Sequence, residues 1–244
     1  MSDTIHPAAP PSWPLGLFIT GTDTGVGKTR TGAALAWALQ QRGLRVRVRK
    51  PAESGCPTGP EGYEPQDAQT LRQAAGAIEP LEQVCHYRLR APLSPERAAR
   101  LEQVELTLDG LRGACLQGLE AGDFLFVEGA GGFYSPIAEA ALNADLAQAL
   151  GLPVLVVAAD RLGTINHCLM TVEALRRRGL TLAGLVLNQP AVTDNADGMD
   201  NAADLAEWLR CPVLRLPHAQ DHGPSAWARE AAALAALVDR WSPR

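Results

Sequence analysis

The sequence GTDTGVGKT, residues 21–29, lies between a short apolar run, GLFIT, and a helical pattern. Its ending matches the phosphate-binding loop G-x-x-x-x-G-K-S/T, but that spacing would need a glycine where this chain has Thr22. Backbone N–H groups at a helix start, the Lys28 ammonium and the Thr29 hydroxyl suit phosphates and Mg²⁺. The alternative is a glycine-rich turn that only begins a helix. Strand, glycine loop, G-K-T and helix together favour a nucleotide site.

Short apolar runs alternate with helical patterns from residue 15 to residue 216, as in a parallel α/β sheet. Strands are predicted at residues 16–20, 44–50, 124–128, 154–159, 182–188 and 212–216. The second alternates valine with arginine and is expected near an edge, whereas the others are nearly all apolar. Crossover helices are predicted at residues 28–42 and after Thr164, which we expect to cap its helix. The fold class is α/β and P-loop NTPase-like, with a mostly parallel central sheet and helices on both faces.

The length of 244 residues suits one globular domain. Residues 1–14 are predicted to be a disordered leader, and residues 15–244 a single P-loop ATP-binding catalytic domain. Residues 51–65 and 190–200, rich in turn-forming residues, are expected to be loops. The five cysteines are widely spaced and include no C-x-x-C pair, so neither a disulfide framework nor a structural zinc site is expected.

The charge pattern bears on partners and location. The net charge is -5, and the basic residues form only short groups, which argues against nucleic acid as a partner. No apolar run is long enough to cross a membrane, and a reducing cytoplasm is expected from the cysteine usage. The sequence therefore predicts a cytoplasmic protein acting on small molecules.

Three further features are expected at the carboxyl end of the sheet. Glu128 ends the predicted strand FLFVE, where a metal-binding acid would lie, although it could also serve only to cap the following turn. Lys50 ends another predicted strand and begins KPAESG, which also contains Ser54; the alternative is a solvated lysine at a strand end. VEGAGG supplies flexible backbone beside the first loop. Asp67, read from its local sequence alone, is expected to be a solvated residue in the first turn of a helix.

Four separated motifs, GTDTGVGKT, KPAESG, VEGAGGFYSPI and LGTINH, resemble in order and separation those of dethiobiotin synthetases. The resemblance covers nearly the whole chain. It implies an enzyme that uses ATP, Mg²⁺ and CO₂ or bicarbonate to close the ureido ring of dethiobiotin from 7,8-diaminononanoate, in biotin biosynthesis. A carbamate and a carbamic-phosphoric anhydride are the implied intermediates. The implied active unit is a homodimer with the substrate carboxylate at the interface.

The resemblance also implies residue roles. The implied catalytic residues are Lys28, Lys50 and Thr24. ATP is bound by Gly25, Val26, Gly27, Lys28, Thr29, Asn188 and Pro217, where Asn188 reads the adenine. The diamine is bound by Ser54 and Gly131, and its carboxylate by Gly163 and Asn166 of the neighbouring subunit. Metal ligands are Thr29, Asp67 and Glu128, which reverses the local interpretation of Asp67.

Some features depart from the family pattern. Gly25 stands where some relatives carry an acid, and Glu96 replaces a histidine within residues 92–100. The tail after Gln220 does not align. The alternatives are a partitioning-type ATPase, a cobyrinate amidating ligase and a non-catalytic nucleotide-dependent regulator. A partitioning-type loop carries an early lysine that is missing here, and a regulator has no evident need for KPAESG and LGTINH.

Overall fold

The computed structural model describes residues 15–189, 198–221 and 223–241. The strands there are β1 (Leu15–Gly21), β2 (Arg45–Arg49), β3 (Ala52–Ser54), β4 (Thr58–Gly59), β5 (Gly62–Tyr63), β6 (Tyr87–Leu89), β7 (Asp123–Gly132), β8 (Pro136–Ala138), β9 (Ala141–Leu142), β10 (Val154–Ala159), β11 (Leu182–Asn188) and β12 (Val213–Leu216). The helices are α1 (Lys28–Gln41), α2 (Gln66–Ala74), α3 (Leu81–Val84), α4 (Pro95–Glu102), α5 (Leu108–Leu116), α6 (Asn143–Leu150), α7 (Thr164–Arg177), α8 (Asn201–Leu209), α9 (Pro224–Ala233) and α10 (Ala235–Trp241).

The central sheet has six parallel strands in the order β12-β11-β10-β1-β7-β2. Successive side chains of β1 enter different cores, because a strand directs alternate residues to opposite faces. Leu17 and Ile19 pack with α1, α2 and α9, whereas Phe18 packs with α5, α6 and α7. The expected edge position of β2 is confirmed. The carboxyl ends of β1, β7 and β11 thus lie at one side of the sheet, where parallel sheets bind ligands.

Two predictions near this side were wrong in part. Residues 51–65 contain β3, β4 and β5 rather than a continuous loop, since β3 pairs with the distant β6 and β4 with β5. Glu128 does not end its strand, because β7 continues to Gly132. The ladder with β1 shifts register between Glu128 and Gly132, and Gly131 has a φ of 76° that favours glycine. The glycines therefore prolong the strand instead of closing a turn.

Thr164 does not cap α7, contrary to expectation. The N-cap is Gly163, with a φ of 89°, and Thr164 is the first helical residue. Its side chain is buried, and its hydroxyl lies 3.9 Å from the Cys168 sulfur, which explains why it does not reach the helix end. A glycine cap leaves the first N–H groups of α7 without a side-chain cap.

Some predictions concern residues outside the described ranges. The leader at residues 1–14 lies outside them, as does most of the loop predicted at residues 190–200. The tail after Gln220 forms α9 and α10 where it is described. No described helix combines the length and apolarity that a membrane span requires.

Candidate functional site

A cavity of about 300 Å³ opens at the carboxyl side of the sheet. It is lined by Thr24, Gly25, Gly27, Lys28, Thr29, Arg30, Lys50, Glu53, Ser54, Asp67, Ala130 and Gly131. Four segments therefore meet in one place, namely the loop before α1, the KPAESG segment, the start of α2 and the glycines of β7. Nine of these twelve residues were expected at a site from the sequence.

The loop before α1 has the backbone form of a phosphate cradle. Gly25 and Gly27 have φ values of 72° and 95°, in the left-handed region that favours glycine. Gly27 is the N-cap of α1, so the first N–H groups of the helix face the cavity side with no side-chain cap. Lys28 is buried and donates to the Asp23 carbonyl at 3.2 Å. The extra residue in the loop thus preserves the helix start and the lysine.

The charge of Lys28 is sensitive to pH. Burial, and next the positive charge of Lys50, lower the pKa of Lys28 to about 8. Because a neutral lysine loses its attraction for phosphate, ATP affinity of the free protein is expected to fall about tenfold from about pH 7 to about pH 9. Calorimetric titration measures this, with Lys28→Arg as a control that stays charged and also corrects for ionisation of ATP. Parallel profiles for both proteins would contradict the expectation.

An ionic cluster lies below the loop, centred on Glu128. Glu128 is fully buried, and its Oε1 accepts from the Thr29 hydroxyl at 2.9 Å and from the Lys50 ammonium at 2.5 Å. The same ammonium donates to Asp67 Oδ2 at 2.9 Å. β7, α1, α2 and the residue that follows β2 therefore each contribute to one charged contact network.

Asp67 pairs with this cluster at its outer side, so it is at the surface, as its local sequence suggested, with its side chain 43% exposed, but it is not only solvated. It does lie in the first turn of α2, as expected, but its carboxylate is bonded to Lys50. Burial alone would raise the pKa of Asp67, but the charge and hydrogen bond of Lys50 outweigh burial and lower that pKa. Burial likewise opposes the charge of Lys50, but Glu128 and Asp67 prevail and raise the pKa of Lys50. Lys50 therefore remains an ammonium ion.

Glu53 accepts hydrogen bonds from the backbone at Asp67, and it was not expected at the site. Its two oxygens accept from the backbone N–H groups of Asp67 and Ala68, both at 3.0 Å. This caps α2, whose own N-cap residue, Pro65, provides no side-chain bond. Burial and the Asp67 charge raise the pKa of Glu53 to about 7, against the opposing Lys50 charge. Its place within KPAESG was the available signal, but its partners lie 14 and 15 residues away.

The oxygen atoms in this cluster fit a magnesium ion. Glu128 Oε2 is buried and has no hydrogen-bond partner among the described residues, although a buried carboxylate oxygen normally has one. With the Thr29 hydroxyl and Asp67 it forms an all-oxygen set, which hard cations prefer. The described residues contain no group of three or more His, Cys, Asp or Glu side chains suited to a metal. Two carboxylates and a hydroxyl suit Mg²⁺, which usually takes its other ligands from water and substrate phosphates.

Lys50 occupies the space between the two carboxylates, so it should compete with a divalent cation. We expect Lys50→Met to bind Mg²⁺ about tenfold more tightly than the wild-type protein without nucleotide, because the competing charge is removed. Calorimetric titration measures the affinity, and thermal unfolding shows whether the variant is folded. Lys50→Arg retains the charge and should resemble the wild type. Equal Mg²⁺ affinity in all three folded proteins would refute the competition.

Ser54 and Gly131 close the cavity on the side expected for the second substrate. The Ser54 hydroxyl donates to the Leu93 carbonyl at 2.6 Å, which fixes the segment before α4 against KPAESG. A Cβ atom at Gly131 would lie 2.7 Å from the Ser135 hydroxyl oxygen, so only glycine fits. Glu96, which departs from the family pattern, is partly buried and forms an ion pair with Arg100 at 3.7 Å within α4.

The residues expected to bind adenine lie on the other side of the loop. Asn188 is buried at the end of β11, and its amide nitrogen donates to the Val26 carbonyl at 3.1 Å. Its amide oxygen accepts from Arg30 at 2.8 Å, and Arg30 also donates to the Pro217 carbonyl. Asn188, Val26 and Pro217 are thus brought together. Arg30 was not expected from the sequence.

Gly163 and Asn166 are exposed and lie apart from this cavity. Their helix, α7, lines a second cavity of about 560 Å³ together with Thr22, Asp23 and residues 132–136. The α7 side chains in that lining are His167, Met170, Thr171 and Ala174. The loop residues Thr22 and Asp23 of this cavity directly precede Thr24, which lines the first cavity.

The chain is similar to known proteins along most of its length. Residues 15–224 match the family model described as AAA domain. The chain is 46% identical over 224 residues to the ATP-dependent dethiobiotin synthetase BioD of Anaeromyxobacter dehalogenans strain 2CP-C, covering 91% of this chain and 96% of the relative.

Two solved structures show the fold at much lower identity. The ParA family ATPase from Chlorobium tepidum TLS has a TM-score of 0.54 at 12% identity, covering 94% of this chain and 98% of that one. The MinC:MinD cell division protein complex of Aquifex aeolicus gives 0.56 at 15% identity, covering 93% and 94%. They confirm the predicted P-loop NTPase-like fold, with no bearing on the reaction.

Proposed function

The chain belongs to the ATP-dependent dethiobiotin synthetase family, and from that premise we propose the chemical route and the residue roles below. As a member of this family, the chain is an enzyme, an ATP-dependent ligase of biotin biosynthesis that acts on ATP and a diaminononanoate. The other classes suggested by the sequence are set aside, because the relative with 46% identity is a dethiobiotin synthetase, whereas the ParA and MinC:MinD structures share only the fold.

The proposed route begins with 7,8-diaminononanoate and CO₂, supplied directly or from bicarbonate. One amine adds to CO₂ and loses a proton, which gives a carbamate. A carbamate oxygen attacks the γ-phosphorus of ATP and displaces ADP, forming a carbamic-phosphoric anhydride. The second amine then attacks the carbamate carbon, loses a proton and expels phosphate, which closes the ureido ring.

The observation that carries the proposal is the pair of buried lysines beside two carboxylates at one cavity. A carbamate and a triphosphate are both anionic, so in-line attack requires that their repulsion be neutralised and their geometry fixed. Lys28 follows the phosphate loop, and Lys50 lies opposite it as a permanent ammonium ion. We assign Lys28 to the phosphates and the carbamate, and Lys50 to the carbamate.

The remaining roles fall to residues of the cavity and of the adjoining side of the phosphate loop. Residues 25–29, Asn188 and the backbone at Pro217 bind ATP; Thr24, Ser54 and Gly131 contact the diamine. Thr29, Asp67 and Glu128 would hold Mg²⁺, which supplies charge neutralisation on the phosphates when bound. The described cysteines are all free thiols, which supports a reducing cytoplasm as the location.

Oxygen transfer tests the route. With ¹⁸O-labelled bicarbonate and brief reaction times, one labelled oxygen should appear in the released phosphate, because the carbamate oxygen that attacks phosphorus leaves with it. Phosphate release should also require both the diamine and bicarbonate. Mass spectrometry of the phosphate measures the transfer, with ATP plus bicarbonate alone as the control. Unlabelled phosphate formed alongside the ring product would refute the anhydride.

We also propose that the active unit is a homodimer in which Gly163 and Asn166 bind the substrate carboxylate for the neighbouring subunit. The N-terminus of α7 is exposed and has no side-chain cap, so its free N–H groups and helix dipole favour binding of an anion such as the carboxylate. Leu162, which is 92% exposed beside Gly163, supports burial of this end against another subunit.

Mixed dimers test this arrangement. Lys50→Met and Asn166→Asp should each be inactive, the second because its introduced negative charge would repel the substrate carboxylate. Co-expression of the two should restore about one quarter of the wild-type activity, since half the dimers are mixed and each contains one intact site. Size-exclusion chromatography checks that mixed dimers form. Mixed dimers without restored activity would mean that both residues serve the same site from one chain.

A further inference from the structure

Asn143, the first residue of α6, is fully buried and forms the centre of a polar cluster. Its amide oxygen accepts from the Ala130 N–H group at 3.0 Å. Its amide nitrogen donates to the Ala130 carbonyl at 2.6 Å, and it lies 3.1 Å from the carbonyl oxygens of both Gly132 and Ser135. One side chain therefore bonds the backbone of the glycine segment, residues 129–132, at the end of β7.

Ala130 depends on this side chain because the sheet gives it no ladder partner within the described residues. The ladder with β1 reaches Glu128 and resumes at Gly132, so β7 has three residues where β1 has one. On the other side, β2 pairs with β7 only as far as Val127 in the described chain. Buried backbone groups need hydrogen-bond partners, and Asn143 bonds both the N–H group and the carbonyl of Ala130. The irregular end of β7 is therefore stabilised from outside the sheet, as bulges near ligand sites often are.

The glycine segment lies between Asn143 and the loop before α1. A Cβ atom at Gly129 would lie 2.5 Å from the Asn143 amide oxygen, so the two residues pack directly on each other. A Cβ atom at Gly131 would lie 3.5 Å from the Thr24 hydroxyl oxygen, which places Gly131 beside the loop. The Lys50 ammonium is 3.4 Å from the Gly129 carbonyl oxygen. A shift of the segment would therefore move backbone that adjoins both Thr24 and Lys50.

The backbone that Asn143 bonds forms a wall of both cavities. Ala130 and Gly131 line the first cavity, and residues 132–136 line the second. Asn143 itself lines neither cavity, so it acts through the backbone. Among the described residues, none of its side-chain hydrogen bonds goes to a residue proposed to bind ATP. Loss of Asn143 is therefore expected to affect the diamine side of the site more than the ATP side.

We propose that Asn143 is a positioning residue for the diamine, because its amide fixes the glycine segment that carries Gly131 and forms a wall of both cavities. This inference rests on the proposed function, in which Thr24, Ser54 and Gly131 contact the diamine. Asn143 acts on the substrate through that backbone, without contact with the reacting atoms. Misplacement of a substrate-binding wall by about 1 Å can lower catalytic efficiency about a hundredfold.

Substrate kinetics test the proposal with Asn143→Ala, which removes the amide and leaves a residue that suits a helix. KM for the diamine should rise about tenfold with a much smaller change in kcat, because contacts made both before and during the reaction appear in KM. Kd for ATP, measured by calorimetry without the diamine, should remain within about twofold of the wild-type value. Asn143→Ser retains a single hydroxyl and should give an intermediate KM.

Hydrogen exchange reports on the segment without any turnover. Mass spectrometry should show faster amide exchange in residues 129–132 of Asn143→Ala, because the bond to the Ala130 N–H group is lost. Thr107→Ala is the control for stability. Thr107 caps α5 by accepting from the Gly110 N–H group at 3.1 Å, and it lines neither cavity. This control should unfold at a lower temperature but keep the wild-type KM and the wild-type exchange in the segment.

The outcomes separate this inference from the function on which it rests. Faster exchange in Asn143→Ala with an unchanged KM for the diamine would mean that Asn143 serves only the fold, and would overturn the inference alone. Unchanged exchange, or an equal rise of KM in Thr107→Ala, would overturn it as well. If Asn143→Ala does not fold, Asn143→Ser must raise KM for the diamine, and otherwise the proposal fails. A wild-type protein that forms no ring product would overturn the proposed function, and the inference with it.

Discussion

Replacing Lys28 with alanine is expected to lower kcat about a thousandfold, because a positive charge placed where negative charge develops is among the largest single contributions to catalysis. Lys28 is buried at the end of the phosphate loop, beside Lys50 and within the same cavity. Its loss removes one of the two lysines that line the cavity and offset the repulsion between carbamate and triphosphate. Phosphate release with diamine and bicarbonate at saturating ATP measures the effect.

Lys28→Arg is the matched variant, because it retains the charge but changes its position. It should recover ATP binding and part of the turnover, whereas the alanine variant should lose both. Thermal unfolding should change little in the alanine variant, since the only hydrogen bond lost by the Lys28 side chain among the described residues is the one to the Asp23 carbonyl. A fully folded Lys28→Ala protein with less than a tenfold loss of kcat would contradict the assigned role.

Glu128→Gln is expected to have the second largest effect. Glu128 accepts from both Thr29 and Lys50, and its other oxygen lacks a partner among the described residues. The amide keeps the shape but removes the negative charge, so Mg²⁺ should bind more weakly and kcat should fall about a hundredfold or more. A Mg²⁺ titration of activity measures both effects, and the half-saturating concentration should rise.

Glu79→Gln is the control for stability. Glu79 is also buried and pairs with Arg49 at 2.8 Å, but it does not line the cavity. Weakening either buried pair should lower the free energy of unfolding by a few kcal/mol. Only Glu128→Gln should change the Mg²⁺ requirement of the folded fraction. A similar kcat and Mg²⁺ requirement in both variants would show that Glu128 serves only the fold.

Local patterns in the sequence correctly predicted the strands, the loop and the helix that surround this site. β1, the loop and α1 are continuous in the chain, so their order and the glycine positions of the loop were readable directly. The alternation of arginine and valine in β2 correctly indicated the sheet edge, but Arg47 and Arg49 are covered there by ion pairs with Asp123 and Glu79.

Contacts between distant segments were not predictable from local patterns. Asp67 was taken for a surface residue because its partner, Lys50, lies on another element, 17 residues earlier. β3 depends on β6, and Glu53 depends on the start of α2. Arg30 pairs with Glu230, which lies 200 residues away in the tail that matched no pattern. In each case tertiary pairing fixed the role of the residue.

Formation of the ring product is the most direct test of the central claim. Purified protein is incubated with ATP, Mg²⁺, bicarbonate and 7,8-diaminononanoate, with Lys28→Ala and an active relative run in parallel. Mass spectrometry should detect dethiobiotin with the wild-type protein, at a yield equal to the phosphate released, and almost none with Lys28→Ala. Absence of dethiobiotin from folded wild-type protein, while the active relative forms it, would contradict the account.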